Sequence, residues 1–193
     1  MATPRSTKRD DIVDAAARLF RTRGVHATSV ADIIAASGTS AGSVYHHFSS
    51  KNDVVLAVAD RAIVGPLRHI LAERGDGALS PGDLLRLVVQ AVFAGEVESA
   101  LIVQLWAGSA QEPLLKDVLR EHLGGVREQM TAELARWLTQ RGVPDAEARA
   151  EGLAMITMGQ AMGLLAQRTI MPDLDQSAYL THATRMLDAA ASV

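Results

Sequence analysis

The chain of 193 residues contains no cysteine. Disulfide scaffolds, thiolate nucleophiles and cysteine-bound metal centres are thereby excluded. Aromatic residues make up only 4%, which argues against an aromatic cage for a large cation. No strand of period two flanked by hairpin residues occurs. Val92-Phe93 and Leu101-Ile102-Val103 are merely short β-prone runs. The longest uncharged stretch near the C-terminus, residues 152–167, is too short to span a bilayer comfortably and holds Gln160 and Gln167. The opening residues lack an apolar run, so a cytoplasmic protein without a membrane partner is expected. A phosphate-binding loop, a G-x-G-x-x-G run and an ordered catalytic triad are also missing. His46 and His47 are neighbours, which point about 100° apart on a helix and cannot share an ion. No enzyme, cofactor or metal is predicted.

What is present is an ordinary globular composition, 48% hydrophobic and 21% charged. The net charge of −3 is unevenly placed. Residues 1–52 carry seven Lys and Arg against four Asp, whereas the remainder carries twelve basic and eighteen acidic residues. His26, His46 and His47 also lie in the basic part. A basic head on an acidic body suits a small polyanion-binding module joined to a different kind of domain.

Helical periodicity runs through the chain. Ile12, Ala15, Ala16, Leu19 and Phe20 mark one face of a first helix that Gly24 stops. Thr28 or Ser29 can cap a second, with Val30, Ile33 and Ile34, ended by Gly38; Thr39 or Ser40 can cap a third, with Val44 and Phe48 on one face. Ser50 and Asp53 form a capping signal for a longer helix, which Gly65-Pro66 should interrupt. Ser80-Pro81 is another start signal. Further helices are predicted over Leu84–Ala94, Ser99–Ala110, Pro113–Arg141, Ala146–Thr169 and Gln176–Ala190. The expected fold is all-α, about nine helices in two parts, residues 1–52 and 53–193.

The two short helices separated by Gly38 have the helix-turn-helix form. The second exposes Thr39, Ser40, Ala41, Gly42 and Ser43, all small, with Tyr45, His46 and Lys51 beside them. Small residues let a helix enter a major groove, while longer polar ones reach phosphates at its edges. A merely structural helix pair, in a ligand-binding protein or enzyme, is the alternative reading.

The run from Ala16 to Val54 resembles the DNA-binding domain of the TetR family of transcriptional regulators. The resemblance is carried by Ala16, Leu19-Phe20, Gly24, Thr28, Ile33, Ile34-Ala35, Gly38, Gly42, Tyr45, His47-Phe48 and Lys51. Small departures are the Ile33-Ile34-Ala35 run and Thr39, where the family often has Val. The resemblance implies a homodimeric repressor with a ligand-binding and dimerisation body, bound to a palindromic double-stranded operator and released by a small, largely apolar effector. Residue by residue, it places base reading on Thr39, Ser40, Ala41, Gly42, Ser43 and Tyr45. Phosphate contacts fall on Thr28 or Ser29, Tyr45, His46 or His47, and Lys51, helped by Lys8 and Arg9 ahead of the first helix.

In the body, His69, Phe93, Leu101, Gln104, Leu105, Trp106, Met155 and Met158 can form apolar pocket walls with polar handles. A filled core is the competing use of the same residues. Gly159-Gln-Ala-Met-Gly163 lies in a Met-rich stretch whose small residues permit close helix packing. Gly159, Met162, Gly163, Tyr179, Ala183, Met186 and Leu187 are the expected dimer contacts. The helix from Asp53 to Arg74 should join head to body, with Gly65-Pro66 as its flexure point and His69 and Ile70 near the effector.

Overall fold

Each head helix opens on a side chain that satisfies its first free N–H groups. In the computed structural model, Thr7, Ser29 and Ser50 accept from the backbone N–H three residues on, and Asp10, Asp32 and Asp53 return a carboxylate to the cap. Ser40 caps the third helix in the simpler way, accepting from the Ser43 N–H at 3.1 Å. The structure describes residues 7–61, 65, 77–94, 99–111 and 113–192, with backbone only at 94, 99–101 and 114. Among the described residues it is all-α: α1 (Lys8–Arg23), α2 (Val30–Ser37), α3 (Ala41–His47), α4 (Lys51–Ala59), α5 (Pro81–Ala94), α6 (Ser99–Ser109), α7 (Pro113–Gln140), α8 (Ala146–Ile170) and α9 (Gln176–Ala191).

The turn between α2 and α3 needs Gly38, whose φ of 65° lies in the left-handed region that a Cβ opposes. Ile12, Val13, Ala16 and Phe20 of α1 pack with Ile33, Val44, Phe48, Val54, Val55 and Val58 to close the head. Burying side chains of this size contributes about 1.5–3 kcal/mol each. The same cluster runs on without a gap into Ile102 and Leu105 of α6, Leu115 and Leu119 of α7, and Leu165 of α8. The head therefore packs directly on the body through α1 as well as through α4.

α8 is the spine of the body and touches α5, α6, α7 and α9. α5, α7 and α8 share a core of Leu84, Val88, Met130, Leu134, Leu153 and Ala154. α9 closes over α5, where Asp188 accepts the Gly82 N–H at 2.8 Å and Arg86 donates to Thr184 at 3.1 Å. A Cβ on Gly82 would sit 2.6 Å from an Asp188 carboxylate oxygen, so a larger residue there must push that side chain aside. Buried Glu133 accepts the Leu79 N–H at 2.9 Å and pairs with Arg136, tying the segment before α5 to α7.

The bounds of the five later helices match the periodicity to within three residues. The helix expected over 53–74 begins at Lys51, and a wide turn at Asp60 and Arg61 follows its regular part. Irregularity thus starts ahead of the expected flexure point. Pro66, His69, Ile70 and the rest of that helix lie outside the described residues, as does the Leu101 side chain.

Candidate nucleic-acid interface and body cavity

α3 is held by its inner face and free on its outer one. Val44 and Phe48 are buried in the head core, while Ser40, Ala41, Gly42, Tyr45, His46 and His47 are exposed, Tyr45 by 60%. A Cβ on Gly42 would meet nothing closer than 4.0 Å, so this end of the helix is low in profile. Ser43 is half-buried, and Thr39 is half-buried with its hydroxyl 2.7 Å from that of Ser37. The edge of this surface is basic. Lys8 and Arg9 are exposed, and the Arg9 guanidinium lies 5.4 Å from the Phe48 ring centroid. Lys51 Nζ is 3.5 Å from the His26 carbonyl, a weak tether for a long side chain. His46 and His47 meet edge to face at 5.1 Å, too far apart in direction to share an ion. Among the described residues no cluster of His, Asp and Glu could hold a metal.

Two expectations for this surface change. Thr28 is buried, and its hydroxyl donates to the Gly24 carbonyl at 2.8 Å, so it stitches the α1–α2 turn and does not face out. Ser29 is the exposed member of the pair, and it caps α2. Lys8 and Arg9 do not precede the first helix: they are its first two residues, because Thr7 and Asp10 form a capping box one step earlier. The Thr7 hydroxyl bond, then its backbone N–H, holds the Asp10 carboxyl below its usual value; Ser29 does the same for Asp32.

The body holds a partly open cavity of about 50 Å³ between α5, α6, α7 and α8. Its wall includes Phe93, Trp106 and Met158 from the sequence expectation, and also Leu123, Met130 and Met162, which sequence reasoning did not place there. Gln104 is exposed, and Met155 is 52% exposed on the outer face of α8, so neither reaches the cavity. Leu105 is fully buried in the cluster shared with the head. The residues expected at a dimer contact also divide. Ala183 and Leu187 are buried against Leu85, Val89 and Leu164 inside one chain, so α5 occupies the face expected to meet a partner. Met162 turns to the cavity, and Gly163 faces Tyr179, whose hydroxyl donates to Gln160 Oε1 at 2.6 Å. Burial raises the Tyr179 pKa above its ordinary value. Gly159 and Met186 remain open, joined by Met155 and Ile156, the latter missed in the sequence although it lies three residues before Gly159.

An exposed, low-profile second helix on a capped helix-turn-helix head, fused to an all-α body, defines a DNA-binding transcriptional regulator. Residues 12–58 match the family described as bacterial regulatory proteins, tetR family. Over those residues the chain carries the DNA-binding domain of that family. It is 26% identical over 159 residues to the HTH-type transcriptional regulator YxaF of Bacillus subtilis, covering 81% of this chain and 83% of that one. It is 35% identical over 100 residues to the HTH-type transcriptional repressor KstR2 of Rhodococcus jostii, a match spanning about half of each. In fold it resembles Salmonella enterica GusR, with a TM-score of 0.77, 23% identity and coverage of 99% and 98% of the two chains. The two sequence relatives are named as transcriptional regulators. No described helix is long and apolar enough to cross a membrane.

Proposed function

We propose that the chain is a homodimeric repressor that binds a palindromic operator and is released by a small, largely apolar effector in the cytoplasm. The observation that carries the reading is the exposed small-residue start of α3 beside Tyr45. In this reading Thr39, Ser40, Ala41, Gly42, Ser43 and Tyr45 meet base edges. Ser29, Tyr45, His46, His47, Lys51, Lys8 and Arg9 meet phosphates. Residues 1–52 form the reader and residues 53–193 the effector and dimer domain.

The partner contact is assigned to the open stripe of Met155, Ile156 and Gly159 on α8 with Met186 on α9. Apolar side chains 52–65% exposed on adjoining helices suit an isologous contact between copies. The effector site is assigned to the cavity. α6 supports a route from cavity to reader: Ile102 belongs both to the cavity wall and to the core that includes α1. Displacing α6 from the cavity side therefore pushes on the reader. Hydroxyl-radical footprinting of the promoter beside the gene tests the proposal. Two symmetric protected half-sites, about 34–36 Å apart or a further whole turn, are expected. A single unpaired patch, or no protection, would refute it.

A further inference from the structure

Among the described residues only two buried side-chain polar atoms lack any hydrogen-bond partner, Trp106 Nε1 and Thr157 Oγ1. Trp106 is part of the cavity wall; Thr157 is not. An indole N–H is a donor only, and when buried it normally finds an acceptor. Beside it the packing of the protein leaves a cavity, although interiors normally close-pack. Two unfavourable features coincide at one place, and one occupant would remove both.

The wall fixes the chemistry of that occupant. Among the described wall residues every side chain is apolar, and Trp106 alone carries a polar atom, its indole N–H. An ion placed there would lose its water and find no counter-charge among the described wall residues. A cation meets a further obstacle: the Arg168 guanidinium lies 4.3 Å from the Phe93 ring centroid, anchored by its bond to Gln176 Oε1 at 2.6 Å. Of the two aromatic rings among the described wall residues, one is thus already covered by a like charge. A pure hydrocarbon would leave the indole N–H unpaired. The space of about 50 Å³ holds little more than a few waters, so the ligand must displace the wall. Met130, Met158 and Met162, unbranched and soft, are suited to that.

Resting on the reading of the cavity as the effector site, we infer that it takes an uncharged, mostly apolar molecule with one hydrogen-bond acceptor, such as a carbonyl oxygen, received by Trp106 Nε1. Trp106 then sets specificity, and it does so on the helix that packs against the reader.

The test uses four probes of nearly one size: acetophenone, ethylbenzene, benzoate and phenyltrimethylammonium, titrated into the 15N-labelled full chain. The chain has two tryptophans, so two indole N–H signals appear, and W137F identifies that of Trp106 as the one that remains. Acetophenone should bind about fivefold more tightly than ethylbenzene, the range expected of one neutral hydrogen bond. It alone should move the Trp106 signal downfield, and neither ion should bind. In W106F the preference should vanish while ethylbenzene still binds. The wild-type signal decides the matter by itself if W106F fails to fold. Equal binding of acetophenone and ethylbenzene, a preference that survives in W106F, or a preferred ion would overturn the inference and leave the cavity a ligand site. Binding of no probe to the folded chain would overturn both.

Discussion

At the scale of single residues, the head divides sharply between side chains used for folding and side chains left free. Thr28 and Lys51 show the contrast. Thr28→Val removes the hydroxyl bond to Gly24 and should cost about 1 kcal/mol of stability, leaving DNA affinity of the folded chain unchanged. Lys51→Ala should leave stability nearly intact and lower the salt slope of DNA binding by about one counterion per half-site. Chemical denaturation paired with a salt series checks both, and a Thr28→Val change in salt slope would reverse the assignment. The caps also titrate. Asp10 and Asp32 have pKa values depressed below 3.8 in the folded chain, first by the Thr7 and Ser29 hydroxyls. A depressed folded value means their stabilisation is complete above the unfolded pKa and is lost as pH falls through the folded one. The urea midpoint of wild type should therefore fall more steeply below about pH 4 than that of Asp10→Asn/Asp32→Asn. Much at this scale was legible. The sequence left Thr28 or Ser29 as the α2 cap, yet Asp32 stands three residues after Ser29 and completes a capping box only with it. The burial of Thr28 was not legible, because it depends on how α1 turns back onto α2.

At the scale of elements, periodicity gave helix bounds well but could not say which neighbour covers which face. Ala183 and Leu187 share an apolar stripe that reads equally well as core or as interface, and α5 decides between them by packing there. Met155 and Met158 are three residues apart, close enough to share a face on a helical wheel, yet one is open and the other lines the cavity. Gly124 and Gly125 pose a different question. They lie inside the 28-residue α7, between the wall residues Leu123 and Val126, and a Cβ on either would meet nothing within 4 Å. Among the described residues no packing demand explains them, and each costs roughly 1 kcal/mol of helix stability against alanine. Gly124→Ala and Gly125→Ala should each raise stability by about that amount, seen as a higher melting temperature. A fall in melting temperature would show that a close approach requires glycine there.

At the scale of the whole molecule, the head is not a bead on a string. One apolar cluster runs from Ile12 in α1 to Leu119 in α7, a continuity hidden from a sequence that showed only a basic head and an acidic body. The charge split locates the reader; it does not show that α6 lies between the cavity and α1. The open stripe on α8 and α9 belongs to this scale too. Ile156→Glu with Gly159→Arg should yield a folded monomer by analytical ultracentrifugation, with helical content retained and binding to a full operator lost. A dimer that survives both charges would place the partner contact elsewhere.

The most direct measurement is equilibrium binding of the full chain to a labelled duplex from the promoter beside its own gene, between about 50 and 200 mM salt, with a shuffled duplex and Tyr45→Ala in parallel. If α3 reads an operator, binding saturates at two chains per site, weakens steeply with salt and exceeds the shuffled duplex by orders of magnitude at each salt. Tyr45→Ala then binds more weakly throughout. Equal affinity for promoter and shuffled duplexes, with Tyr45→Ala indistinguishable from wild type, would contradict a reader built on α3.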